Sequence, residues 1–245
     1  MLENRNEYET IFSLEGHHWW YRVLHERTIQ SIQQHFSEKN ISILDAGCGT
    51  GGLIKKLSES GYGAIIGTDI SDTALDLALK KTNTTLRKSD LRNYFSEFPN
   101  EKHDVIVFND VLYFFSETEI QFILQEANNA LNKHGIIIIN FPAGKIFSGN
   151  HDRAVAIKKR TSKGEFAKLV PGSMLVEQSV YWPFLLSPAI AVVRAFQRNV
   201  LKNQSSDLKE TSSSINNLLY RITASETHLF PHAPMGSSFF CVLKK

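Results

Sequence analysis

Ile43-Leu44-Asp45-Ala46-Gly47-Cys48-Gly49-Thr50-Gly51-Gly52 decides how the rest of the chain reads. An apolar run, Ile41 to Ala46, ends in a glycine-rich turn, and Leu53, Ile54 and Leu57 follow at helical spacing. That is a strand, a tight loop and a helix. Glycines let the backbone turn sharply and approach a ligand with no side chain in the way. Gly47, Gly49 and Gly52 also satisfy the G-x-G-x-x-G spacing of dinucleotide sites, so the glycines alone leave the ligand open.

Downstream the strand and helix patterns keep alternating. Ala64 to Thr68 reads as a second strand, and Leu75, Ala78 and Leu79 mark the buried stripe of a helix. Thr84 to Lys88 is a third strand by its place in the alternation. Val105 to Phe108 is unbroken and apolar, as in a central strand buried on both faces. Ser116 and Glu119 have capping-box spacing; Ile120, Ile123, Leu124, Ala127 and Leu131 continue a helix that Gly135 is expected to end. Ile136 to Ile139 is the next buried strand. In the second half, Ser162 to Leu169 reads as a helix, Leu175 to Tyr181 as a strand and Phe239 to Leu243 as a last strand. Between these lie an apolar, proline-broken stretch, Tyr181 to Val193, and a polar one, Lys202 to Ser214, expected to be a solvated, mobile loop. The fold class is α/β, with helices on both faces of a mostly parallel sheet. Neither repeat nor internal boundary divides it, so residues 1–245 are expected to form a single domain.

Three carboxylates narrow the ligand. Asp45 lies at the strand end before the turn, where it would crowd a pyrophosphate but suits the ammonium of an amino acid. Asp69 ends the second strand, where it can accept both hydroxyls of an adenosine ribose. Asp90, after the third strand, is placed to meet an adenine amino group. Together they fit a nucleoside carrying a positively charged amino-acid tail: S-adenosylmethionine (SAM).

The stretch Ile43 to Gly51 then resembles the first motif of class I SAM-dependent methyltransferases, and Asp69, Ser89-Asp90-Leu91 and Asn109-Asp110-Val111-Leu112 fall where later motifs of that family fall. The resemblance covers residues 41–141. It implies a Rossmann-like seven-stranded sheet whose last strand runs antiparallel. It also implies that Asp45 and Gly47 hold the methionine end, Asp69 the ribose, and Asp90 with Leu91 the adenine. Ala46, Gly49, Gly51, Ile70, Ser89, Asn109, Asp110, Tyr21 and Arg22 complete the expected cofactor contacts. For Asp110 two readings stand side by side, a contact to the methionine side or a cap on the loop after the fourth strand. S-adenosylhomocysteine (SAH) is the implied product. The chain divides into an N-terminal helical lid over 1–40, a SAM-binding half over 41–141 and an acceptor-side half over 142–245, whose insertion over 182–234 forms a lid.

The flanks resemble a bacterial small-molecule subgroup of that family, in His18-Trp19-Trp20-Tyr21-Arg22, Asn140-Phe141-Pro142-Ala143 with His151-Asp152, and Pro234 to Ser238. Tyr113-Phe114 stands where the subgroup has Glu-His, and Ile157 and Lys159-Arg160-Thr161 depart from its His and Arg-Arg-Tyr run. The acceptor pocket is therefore expected to differ. SAM brings an activated methyl, so the protein mainly aligns the acceptor, with a base where a proton must leave. His151 and Asp152 are the candidate bases. Tyr113, Phe114, Tyr181 and Trp182 are the candidate acceptor walls, with the rest of Tyr181 to Val193 as a lid over a hydrophobic acceptor. His17 and His18 precede an aromatic cluster that either closes over the cofactor or anchors a helix on the sheet. His103 and His134 are expected at the surface, and Lys158-Lys159-Arg160 on a solvated face, with a site for an anionic acceptor as the alternative.

Composition bounds the rest. With 245 residues, 42% of them hydrophobic, the chain can fill one large core. Its 27 basic and 25 acidic residues leave a net charge of +2, which argues against nucleic-acid binding through a broad basic face. Two cysteines, Cys48 and Cys241, allow no disulfide framework, and no His, Asp and Glu cluster has metal-ligand spacing. Met1 to Tyr8 carries no signal-peptide core, and no stretch reaches the roughly 18 to 20 apolar residues of a membrane span. A cytoplasmic protein is expected, without stable membrane insertion. The expected activity is methyl transfer from SAM to an oxygen or nitrogen of a secondary-metabolite or lipid-like small molecule. Methylation of a peptide terminus or side chain, a SAM-binding protein or cyclase that transfers no methyl, and nicotinamide-linked hydride transfer are the rivals.

Overall fold

A computed structural model describes residues 5–149, 152, 157, 160–200 and 211–245. Seven strands form one sheet in the order β3-β2-β1-β4-β5-β7-β6. They are β1 (Ile43–Ala46), β2 (Ile65–Asp69), β3 (Thr85–Lys88), β4 (His103–Asn109), β5 (Leu131–Pro142), β6 (Leu175–Trp182) and β7 (Ser238–Lys244). Strands β1 to β5 pair in parallel, and β7 runs against both of its neighbours, β5 and β6. Chain order reverses between β1 and β4, the position where open α/β sheets leave a crevice at their carboxyl ends.

Alternation along the central strands builds a core on each face. Val105 and Val107 of β4, with Ile136 and Ile138 of β5, pack on one side. Ile106, Phe108, Ile137 and Ile139 pack on the other. Helices α3 (Gly52–Glu59), α4 (Asp72–Ala78), α5 (Tyr94–Glu97), α6 (Glu117–Ala130) and α7 (Lys163–Ala167) cover the faces. The Ser116–Glu119 capping box is formed, and α7 opens on a second one, Ser162 with Glu165.

Two expectations are corrected here. Helix α6 stops at Ala130, not at Gly135, because Leu131 turns extended and pairs with His103 of β4. Gly135 lies inside β5, where a Cβ would come within 3.1 Å of the Asp104 carbonyl oxygen. His103 is buried rather than at the surface, its Nδ1 lying 3.2 Å from Ser42 Oγ; His134 is exposed as expected.

The N-terminal segment forms α1 (Arg5–Leu14) and α2 (Trp19–His35), and the insertion forms α8 (Ser187–Val200) and α9 (Ser213–Leu229). Of the loop expected over 202–214, residues 202–210 lie outside the described residues, and Ser213 and Ser214 already open α9. Helices α2 and α9 are tied together. Trp19 N–H donates to Asn216 Oδ1 at 2.8 Å, Asn216 Nδ2 donates to the His17 carbonyl at 2.9 Å, and the Arg22 guanidinium lies 3.6 Å from the centre of the Tyr220 ring. Trp20 stacks on Trp182 at 5.3 Å. No helix among the described residues is long and apolar enough to cross a membrane.

Candidate functional site

A cavity of about 490 Å³ opens at the carboxyl ends of β1, β2, β4 and β5, covered by α1, α2 and α8. Its first end is the glycine loop. Asp45 is 2% exposed, and its Oδ2 has no hydrogen-bond partner. Burial, with the charges of Glu15 and Asp69 added, raises its pKa to about 8. An orphaned carboxylate oxygen facing a cavity is a place for a cation. Asp69 accepts the Gly49 N–H at 3.0 Å on one oxygen and the Ser71 N–H at 2.9 Å on the other. Each oxygen keeps a second lone pair for a ligand hydroxyl. Burial pushes Asp69 up in pKa, against the pull of those N–H groups.

The two loop glycines have different reasons. A Cβ on Gly47 would sit 2.5 Å from Val111 Cγ2, so that glycine makes room for the β4 loop. Gly49, at φ 52°, lines the cavity, and a Cβ there would meet nothing within 4 Å. That cradle, with Asp45 and Asp69, fits the amino-acid and ribose ends of SAM. Residues Ser89 to Leu91 lie beside it, Ser89 N–H donating to the Asp69 carbonyl at 3.1 Å. The Asp90 carboxylate is taken up by Arg92, through its backbone N–H and Nε at 2.9 Å each and through Nη2.

Residues with no motif complete this end. Glu15, at the end of α1, accepts from Thr50 and from Lys81, and Lys81 also donates to the Phe12 carbonyl at 2.6 Å. Tyr8 adds a phenol, raised to about 12 by burial and then by Asp69. His18 and His25 line the cavity as neutral rings, lowered to about 4 and about 3, burial being the main cause in both. The only sequence trace of Glu15 is Gly52, where a Cβ would collide with its carboxylate.

The second end lies past β4. Asn109, Asp110, Tyr113, Phe114 and Tyr21 reach its wall, joined by Ile157 and Arg160 of the run that departs from the subgroup, by Ile190 of the expected lid, and by Phe147 and Arg194, which no motif marks. Asp110 stands in the left-handed region at φ 54°, and both its oxygens accept from Asn140 Nδ2, at 3.0 and 2.9 Å. Burial raises its pKa to about 7, against the Asn140 hydrogen bonds and the Arg160 charge, which lower it.

Other candidates go elsewhere. His151 lies outside the described residues, as do Lys158 and Lys159. Asp152 is off the wall and holds the Arg160 guanidinium through both oxygens, at 2.6 Å to Nε and 2.8 Å to Nη2. Arg160 Nη1 donates to the carbonyls of Ala143 and Ser237 at 2.9 and 2.8 Å. The solvated face expected for Arg160 is therefore corrected: its side chain is 8% exposed, because β5 and the segment before β7 need its donors. Trp182 is fully buried in the sheet, donating to Asn140 Oδ1 at 2.8 Å, and Tyr181 accepts the Lys163 N–H at 3.0 Å; neither reaches the cavity. Arg22 points to α9 instead. Ile190 alone of 181–193 is on the wall, while Val192 and Val193 are exposed. Among the described residues no three His, Cys, Asp or Glu side chains converge as metal ligands.

Comparison with known proteins agrees with this geometry. Residues 43–135 match the family model described as a methyltransferase domain. Over 151 residues the chain is 26% identical to the mRNA cap guanine-N(7) methyltransferase of Schizosaccharomyces pombe, covering 56% of this chain and 41% of that protein. Over 142 residues it is 29% identical to the ribosomal protein L11 methyltransferase of Lactobacillus johnsonii, covering 54% and 42%. The chain thus spans less than half the length of either relative. Among solved structures it resembles a SAM-dependent methyltransferase from Archaeoglobus fulgidus, with a TM-score of 0.57 at 16% identity over 91% of this chain and 94% of that one.

Proposed function

We propose that this chain, which carries a class I SAM-dependent methyltransferase domain, transfers a methyl group to an oxygen or nitrogen of a small-molecule acceptor. When bound, SAM supplies a methyl already activated on a sulfonium. The chain's residues then have to hold, align and shield. Asp45 takes the ammonium of the methionine end, which would give its orphaned oxygen a partner. Gly49 leaves room, Asp69 would take the ribose hydroxyls, and the Ser89–Leu91 turn, joined to Asp69 by the Ser89 N–H, would meet the adenine. Helices α2 and α8 contribute walls to the other end, where Tyr113, Phe114 and Tyr21 form the acceptor wall.

The observation that carries this reading is the unpaired, buried Asp45 oxygen in the same cavity as Asp69, on either side of an open glycine. Walls drawn from three helices and a depth that reaches the buried Asp45 favour a small molecule over a peptide. Calorimetry with SAM and SAH tests it, followed by methyl transfer from labelled SAM to a panel of amines and alcohols. Saturable SAH binding and turnover on part of the panel are expected. A protein that ignores both cofactors would overturn the reading.

A further inference from the structure

Asp110 is held in an unusual way. Asn140 and Trp182 are both fully buried, and the indole N–H can only donate, so it fixes the Asn140 amide with its oxygen towards Trp182 and its NH2 towards Asp110. One neutral donor thus braces both carboxylate oxygens and leaves further lone pairs for the cavity. Among the described residues no Lys or Arg forms an ion pair with Asp110. Arg160 is near enough to be felt but is bound to Asp152 and to two carbonyls.

The wall of the cavity around Asp110 is largely aromatic and aliphatic, with Arg160 and Arg194 as its guanidinium groups. Tyr113 and Phe114 line the same cavity with ring centres 4.4 Å apart, and Tyr21 joins them from α2. Burial, with the charge of Asp110 added in Tyr113 and those of Glu15 and then Asp110 in Tyr21, raises both phenols and keeps them neutral. A carboxylate hydrogen-bonded to a neutral amide, with the nearby guanidinium engaged elsewhere and aromatic rings beside it, is the chemistry that selects a small cation. A neutral hydroxyl would leave that enclosed charge uncompensated.

We propose that the acceptor is an amine, bound as its ammonium ion with one N–H on Asp110, and that Asp110 takes that proton. The N–H bond breaks, its electron pair stays on nitrogen, and an O–H bond forms on Asp110. A neutral amine and a carboxylic acid result, and the acid later returns its proton to solvent. Burial helps, because a carboxyl raised to about 7 is a stronger base than an ordinary one. The freed pair is the nucleophile that methyl transfer requires, so the proton step rests on the function proposed above; ammonium binding does not.

The test uses the whole chain at SAH concentrations that saturate each variant, with two probe pairs: methylammonium against methanol, and phenethylammonium against phenethyl alcohol. In wild-type protein at least one ammonium should bind about tenfold or more tightly than its alcohol, the worth of a hydrogen bond to a charged group. Asp110→Asn, which tolerates the left-handed backbone, should abolish that preference, and Tyr113→Leu should reduce it. Absence of an ammonium preference in both pairs, including absence of any binding, overturns the proposal; so does a preference that survives Asp110→Asn. Should SAH not bind at all, the cofactor reading fails by itself. The same probes are then run on Asp45→Asn, which removes the other unpaired carboxylate, and an ammonium preference there would still stand or fall with Asp110.

Discussion

The two ends of the cavity are built differently. At the cofactor end, Asp45, Gly47 and Gly49 follow one another along a single strand and turn, and Asp69 sits at the tip of the adjacent strand, its oxygens fixed by backbone N–H groups. At the acceptor end, the wall is gathered from α2, the β4 loop, β5, the segment around Arg160 and α8, and side chains fix one another. A ligand site made from backbone and contiguous sequence leaves a motif. One assembled from distant side chains leaves none.

The largest expected effect separates the two glycines of the first end. Gly49→Val should leave a folded protein, since its Cβ meets nothing within 4 Å, though the left-handed backbone adds about 1–2 kcal/mol of strain. The side chain would fill the cofactor's approach, and SAH should no longer raise the Tm. Gly47→Val should instead lower the Tm without ligand, because Val111 is already in the way. If the two variants behaved alike, the loop would be a structural turn and not a cradle.

At the other end the sharpest break is the Arg160–Asp152 pair, whose side chains are 8% and 12% exposed. Removing one partner strands a buried charge, so Arg160→Ala or Asp152→Ala should each destabilise by about 3–5 kcal/mol in urea unfolding. The double variant Arg160→Met with Asp152→Leu should recover only part of that, because the Ala143 and Ser237 carbonyls still lose their Arg160 donor. Single variants with wild-type stability would show that this end is not held by side chains.

The sequence carried most of the fold and about half of this site. Four of the first five strands are legible from continuous apolar runs, and β3, with Leu86 as its one apolar residue, only from its place in the alternation; the α6 boundary is misplaced, since Leu131 fits either a helix stripe or a strand edge. Asp45 and Asp69 could be read because strand and turn place them. Glu15, Lys81 and Thr50 could not, because Glu15 meets the glycine loop across 35 positions and Lys81, past α4, across 66. The basic run at 158–160 looked solvated because nothing local reveals that Arg160 faces two carbonyls and a carboxylate. Trp182 was expected on the acceptor wall for its aromatic bulk, yet the partners that bury it, Trp20 and Asn140, lie 162 and 42 positions away.

A smaller effect is expected at Asp69. Asp69→Ala removes hydrogen bonds to a charged group, roughly 1.5–3 kcal/mol, so SAH affinity should fall about tenfold or more. It also frees the Gly49 N–H, and Asp69→Asn, which can still accept, should fall less. Unchanged affinity in calorimetry would move the ribose away from β2.

The smallest effect is a proton count, and it bears on Asp45 alone. Its carboxyl is raised to about 8 by burial and by the neighbouring charges of Glu15 and Asp69. The ordinary value is near 4, so between about pH 4 and pH 8 the folded protein holds a proton that the unfolded chain has released. Stability from this group is therefore fully present below about pH 4 and falls as pH rises towards 8, where it levels off. Asp45→Asn should flatten that part of the pH–stability curve. A ligand ammonium seated on Asp45 favours the carboxylate, so SAH binding at pH 7 should expel a fraction of a proton. In calorimetry this appears as a binding enthalpy that changes with the ionisation enthalpy of the buffer. The dependence should weaken above pH 9, where Asp45 is already ionised, and be lost in Asp45→Asn. Asp110 titrates near 7 as well, with Tyr21, Tyr113 and the Arg160–Asp152 pair around it, so Asp110→Asn serves as the control. Should that variant, and not Asp45→Asn, remove the proton release, the ammonium of the cofactor would sit at the acceptor end and the two ends of the cavity would exchange roles.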